Sequence, residues 1–74
     1  MTEPKWLHFG ERHILRGKTH HAVMERRGNG QYFCEVAKGK RVRFAKVVDS
    51  YTKAQTWCER ELREYEAKEA SDAE

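Results

Sequence analysis

The sequence predicts an α+β domain: an antiparallel sheet of three strands, four if the first twenty residues supply one, packed on a single carboxy-terminal helix. Three observations carry this. Gly28-Asn29-Gly30 and Lys38-Gly39-Lys40 each interrupt short stretches of β-branched and aromatic residues, the pattern of consecutive hairpins. Downstream, Ala54, Trp57, Cys58, Leu62 and Tyr65 recur at spacings of three and four, the apolar stripe of one helix. A chain of 74 residues has room for one core and no more.

Taken in order, the first twenty residues are the hardest to place. Trp6-Leu7-His8-Phe9-Gly10 and His13-Ile14-Leu15-Arg16-Gly17 fit a fourth strand, a short hairpin or an arm with aromatic anchors. Partial order is expected of residues 1–20, because a three-stranded sheet under one helix is a small core that gains from a lid. Strands are expected over 21–27, 31–37 and 41–48. Three-residue loops at both turns set Met24 opposite Cys34, Ala22 opposite Val36, Val36 opposite Val42 and Cys34 opposite Phe44, collecting the apolar residues on one face. A helix should follow over 52–68, opened by Thr52 with Gln55 as a capping box. Its outer side would carry Glu59, Arg60, Glu61, Arg63, Glu64 and Glu66. The domain proper is therefore 21–68, and residues 69–74 read as a frayed acidic tail.

Composition excludes several classes. Apolar residues are 38% and charged residues 36%, with no run of about 18 apolar residues to span a bilayer. The amino terminus shows no leader pattern, so the expected address is intracellular, the host cytoplasm if the chain is phage-encoded. Cys34 and Cys58 lie inside apolar patterns without C-x-x-C spacing and read as buried, reduced thiols. The net charge of +3 is unevenly spread. Residues 1–50 hold 11 Lys/Arg against 5 Asp/Glu, a balance of +6, whereas 51–74 hold 4 against 7, a balance of −3.

Signals of catalysis are missing: there is no G-x-S-x-G, no phosphate-cradling glycine loop and no H-E-x-x-H. His8, His13, His20 and His21 match no zinc module, and adjacent His20 and His21 would point to opposite faces of a strand. Neither a metal, a cofactor nor an enzymatic activity is expected. The basic strands are the better lead. In the predicted register the face opposite the helix displays Val23, Glu25, Arg27, Gln31, Phe33, Glu35, Arg41, Arg43 and Ala45, with Arg26, Lys38 and Lys40 at the turns. Arginine forks suit guanine edges and phosphate, lysines neutralise phosphate, and Phe33 can stack on a base or touch a thymine methyl. The same face could instead meet a protein, be solvated through cross-strand pairs such as Glu35 with Arg43, or be covered by Trp6 and Phe9.

The run Gly30-Gln31-Tyr32-Phe33-Cys34-Glu35-Val36, then Arg41-Val42-Arg43-Phe44 and Val48-Asp49-Ser50-Tyr51-Thr52-Lys53-Ala54-Gln55-Thr56-Trp57, resembles the arm-binding domains of phage-type tyrosine recombinases. It is also similar to the plant GCC-box-binding domains. The resemblance implies a sheet lying in the major groove of DNA, with contacts from Arg27, Gln31, Phe33, Glu35, Arg41 and Arg43. Lys53 departs from that pattern, standing where an acidic residue is common, and the third strand lacks the usual tryptophan. A free-standing module of this size also resembles small accessory proteins of phages and mobile elements. The expected function is thus non-catalytic double-stranded DNA binding through Arg26, Arg27, Gln31, Phe33, Glu35, Lys38, Lys40, Arg41 and Arg43. The alternative is an inhibitor or adaptor that binds a host or defence protein.

Overall fold

A computed structural model describes residues 5–72, with side chains through Glu69. Five strands form one antiparallel sheet in the order of the chain: β1 (Lys5–Phe9), β2 (Arg12–Arg16), β3 (His21–Arg26), β4 (Tyr32–Lys38) and β5 (Arg41–Val48). A helix, α1 (Tyr51–Asp72), follows. The α+β class and the single carboxy-terminal helix match the expectation; the sheet has five strands where three or four were expected. The expected fraying over 69–74 meets a helix that runs to Asp72, and residues 73–74 lie outside the described range, as do residues 1–4.

The additional strands come from the amino-terminal segment. Trp6, His8, His13 and Leu15 alternate with Leu7, Phe9, Arg12 and Ile14, and Gly10, at φ +64°, turns the chain in two residues so that Phe9 meets Arg12. This hairpin pairs through β2 with β3, setting Leu15 opposite Ala22 and His13 opposite Met24. Between β3 and β4 the three-residue turn Gly28–Gly30 is as predicted, with Asn29 and Gly30 at φ 69° and +72° and Met24 opposite Cys34. Asn and Gly are the residues that tolerate this left-handed backbone at least cost.

Between β4 and β5 the register departs from the prediction. The turn is two residues, Gly39-Lys40, with Gly39 at φ +61°, and Lys38 meets Arg41. Two residues later the pairing jumps: Ala37 faces Val42 but Val36 faces Phe44, so Arg43 is an extra residue on β5, a β-bulge. Beyond it, Cys34 faces Lys46 and Tyr32 faces Val48. Val42 is accordingly turned away from the helix and is 52% exposed, whereas the predicted register buried it.

The core forms between the sheet and α1. Leu15, Ala22, Met24, Cys34 and Val36 from the sheet meet Ala54, Trp57, Cys58 and Leu62 from the helix, with Trp6, Tyr32, Val48 and Tyr65 around them. Period-two alternation on the strands and three-to-four spacing on the helix place these residues on facing surfaces. Trp6 joins the helix side, where its indole N–H donates to Glu59 at 3.1 Å. Ser50, not Thr52, caps the helix: its hydroxyl accepts from the Lys53 N–H at 3.1 Å and its carbonyl accepts from the Ala54 N–H at 3.0 Å. The Cys34 and Cys58 thiols are free and fully buried, as expected. The neighbouring Cys34 thiol and burial push the Cys58 thiol up, and Cys58 donates to the Val23 carbonyl at 3.8 Å.

Candidate binding surface

Residues directly opposite on neighbouring strands share a face, so the sheet surface away from α1 can be read as rows running from β1 to β5. One row is Leu7, Ile14, Val23, Glu35 and Ala45; a second is Phe9, Arg12, Glu25, Phe33 and Val47; a third is Lys5, Arg16, His21, Ala37 and Val42. Four inter-strand spacings make this face about 19 Å wide. Apolar side chains dominate it from edge to edge. Leu7, Phe9, Val42 and Val47 are among the large exposed hydrophobics of the domain. Among the described residues nothing lies over them, and Trp6, one of the two expected covers, is on the other side.

At the centre of this face the charges are engaged or negative, while Lys5 and Arg16 on the third row have no ion-pair partner among the described residues. Glu25 sits between Arg12, at 3.4 Å, and Arg27, at 3.9 Å, and the Arg27 guanidinium also stacks 5.0 Å above the Phe33 ring. Glu35 stands between Val23 and Ala45 rather than opposite Arg43. Among the described residues it has no ion-pair partner.

Two residues predicted for this face, Arg41 and Arg43, are elsewhere, and the predicted turn cations Arg26, Lys38 and Lys40 lie off it. The bulge carries Arg43 to the helix side, 5.8 Å over the Tyr65 ring. Lys38 pairs with Glu69 of α1, and Arg41, opposite Lys38, shares that side. Arg26 is opposite Tyr32 and so also lies on the helix side, exposed. Lys40 is at the exposed tip of its turn, as predicted, and Gln31 just precedes β4, its carbonyl accepting from the Arg27 N–H at 2.7 Å. Of the nine residues predicted as a nucleic-acid site, Arg27, Phe33 and Glu35 are brought together on the open face, with Gln31 beside Arg27 at its end. The correction has one physical cause for Arg41 and Arg43, the two-residue turn with its compensating bulge.

A second surface runs along the outer edge of β5. Nothing pairs with this edge among the described residues, and every residue from Arg41 to Val47 is exposed. Between the edge and the first turns of α1 lies a shallow groove of about 310 Å³, lined by Lys46, Thr52, Lys53, Thr56, Trp57 and Arg60 among others. Three cations and no carboxylate line it. Lys53 binds Asp49 at 3.1 Å, and that ammonium holds the Asp49 carboxyl below its usual range. Arg60 is 3.5 Å from Glu61.

Sequence reasoning missed two further side chains. Glu66, expected in solvent, folds back so that its carboxylate accepts from the Thr19 N–H at 2.6 Å and the His20 N–H at 3.1 Å. The signal was present: Glu66 is four residues after Leu62 and therefore on the sheet-facing side. His8 and His13, directly opposed on β1 and β2, meet through their Nδ1 atoms, and His13 also packs edge-on against Tyr51. Burial, then the charge of His8, lowers the His13 pKa. Among the described residues no group of three or more His, Cys, Asp or Glu is arranged to hold a metal ion, and no helix is long and apolar enough to cross a membrane. No family model, curated protein or solved structure matches the chain, so the likeness to arm-binding domains rests on its residues alone.

Proposed function

We propose that the chain is a non-catalytic protein-binding module, an inhibitor or adaptor, that engages its partner with the open face of the sheet. One observation carries this reading: an apolar band crosses the sheet on a face that no other element covers among the described residues, with Leu7, Phe9, Val42 and Val47 exposed on the outer strands and Val23 and Ala37 packed between their neighbours in the middle. Isolated exposed hydrophobics are ordinary, but a contiguous band of this width is characteristic of protein interfaces. Phosphate is a poor match to the same surface. Its centre holds two carboxylates, Glu25 and Glu35, and the Arg27 guanidinium is already occupied by Glu25 and Phe33. A partner presenting apolar side chains and one donor for Glu35 would complete the face.

Double-stranded DNA is the second reading, favoured by the cations beside β5: Lys46, Lys53 and Arg60 at the groove, with Lys40 and Arg41 at the other end of the strand. Binding there would be led by phosphate contacts and would weaken by about 10³-fold or more between 50 and 200 mM salt if six or more phosphates were engaged.

A photo-crosslinking amino acid placed at Phe33, with a control at Arg63 on the outer side of α1, separates the readings when the protein is expressed in its native cells. Discrete protein adducts from position 33 and none from position 63 are expected. An adduct of twice the chain mass would identify the partner as a second copy. Silence at position 33, together with a salt-sensitive gel shift of random duplex DNA, would replace the protein reading with the DNA one.

A further inference from the structure

The outer edge of β5 has features that select an occupant. Its backbone N–H and C=O groups on that side have no strand partner among the described residues, a surface that a further strand can extend. Residues 41–48 carry Arg41, Arg43 and Lys46 and no acidic residue. Two antiparallel copies of β5 would therefore bring +3 against +3, so the edge repels a second copy of itself. The two sides of the edge also differ in chemistry. Towards the open face β5 presents Val42, Ala45 and Val47; towards the helix its stretch beyond the bulge presents Phe44, Lys46 and Val48, with Lys53 and Arg60 across the groove from Lys46 and with Glu61 and Glu64 beside Phe44.

We infer that β5 is the docking edge for an extended acidic segment of a protein partner, in which apolar and acidic residues alternate, added to the sheet as a sixth strand. This rests on the reading of the chain as a protein-binding module and names the partner segment. In an added strand successive side chains fall on opposite faces, about 4.8 Å from their β5 neighbours. Its apolar side chains then continue the band beside Val42, Ala45 and Val47. A carboxylate of that strand enters the groove at Lys46, where a charge-assisted contact replaces water, and it shares Lys53 and Arg60 with their partners Asp49 and Glu61. The bulge at Arg43 limits pairing to the stretch beyond it, from Phe44 to Val48, since the extra residue disrupts the regular ladder.

The probe is the blocked octapeptide (Val-Glu)₄, titrated into the full-length ¹⁵N-labelled protein, with Val₄Glu₄ as an isomer of equal charge and a copy N-methylated along one edge. Amide shifts should concentrate in residues 44–48 and 52–60, and alternate β5 amides should exchange more slowly in the complex. Val₄Glu₄, the N-methylated peptide and the double variant Lys46→Gln/Arg60→Gln should each bind about tenfold more weakly, the equivalent of one well-formed contact. No shifts at millimolar (Val-Glu)₄ would overturn the proposal, as would equal binding by Val₄Glu₄, which needs charge alone. Displacement of the peptide by an equal phosphate charge of duplex DNA would assign the edge to nucleic acid instead. A silent β5 edge combined with protein adducts from position 33 would remove this inference and leave the open-face reading standing; silence in both removes both.

Discussion

Trp57→Ala is expected to destabilise the domain by about 3–5 kcal/mol. Trp57 is 5% exposed, meets the Phe44 ring edge-on at 5.7 Å and belongs to the cluster that joins α1 to the sheet. Removing the indole leaves a cavity that sheet and helix cannot both collapse to fill, and small domains hold only about 5–15 kcal/mol in all. Urea unfolding followed by circular dichroism at 222 nm measures the loss directly. Trp57→Phe, which keeps an aromatic ring against Phe44, should retain most of the stability. An Ala variant with an unshifted midpoint would mean that the helix is held by something other than this contact.

The second large effect is expected at Glu66. Its carboxylate closes the loop between β2 and β3 by accepting from the Thr19 and His20 amides and from the Thr19 hydroxyl at 3.3 Å. Burial by itself would raise the Glu66 pKa, but these donors outweigh it and hold the value below the ordinary range. Glu66→Gln should cost about 1–3 kcal/mol at pH 7, as expected when donors lose a charged acceptor. Because the folded pKa is the lower one, the stabilisation is complete above the unfolded value of about 4.3 and is lost as pH falls through the folded value. Wild type and Glu66→Gln should therefore differ most near neutrality and converge in acid. Gly17→Ala offers an independent check, since a Cβ there would come within 2.5 Å of the Glu66 carboxylate oxygens. The two substitutions should be non-additive, the second costing little once the first is made; simple additivity would show that Glu66 does not act through this loop.

Local chemistry made much of the fold legible. Gly28-Asn29-Gly30 determined both a turn and a register, because only one loop length put Ala22 and Met24 opposite apolar partners. The helix followed from the spacing of Ala54, Trp57, Cys58 and Leu62, although Ser50 rather than Thr52 supplied the cap. The amino-terminal hairpin was harder to read. His8, Arg12, His13 and Arg16 interrupt its apolar residues, and Gly10-Glu11 is a weaker turn signal than Asn-Gly. The candidate site depended on β5, where register was set by a turn one residue shorter than expected and a bulge that restored the apolar alignment. A one-residue slip moves a side chain to the other face, so the predicted cluster of arginines lost Arg43 to Tyr65, while Phe33, whose strand keeps a regular register with β3, stayed where the pattern placed it.

The order of the strands in the sheet, identical to their order in the chain, has a kinetic consequence. Each strand can zip onto the one just before it through a turn of two to four residues, so the entropy of chain closure is met in small steps and contact order within the sheet is low. The ties that span long stretches of chain are those to the helix, such as Trp6 with Glu59 and Lys38 with Glu69. They can form only after α1 has emerged and docked. Until then both faces of the meander are open to solvent, the side that will become the core included.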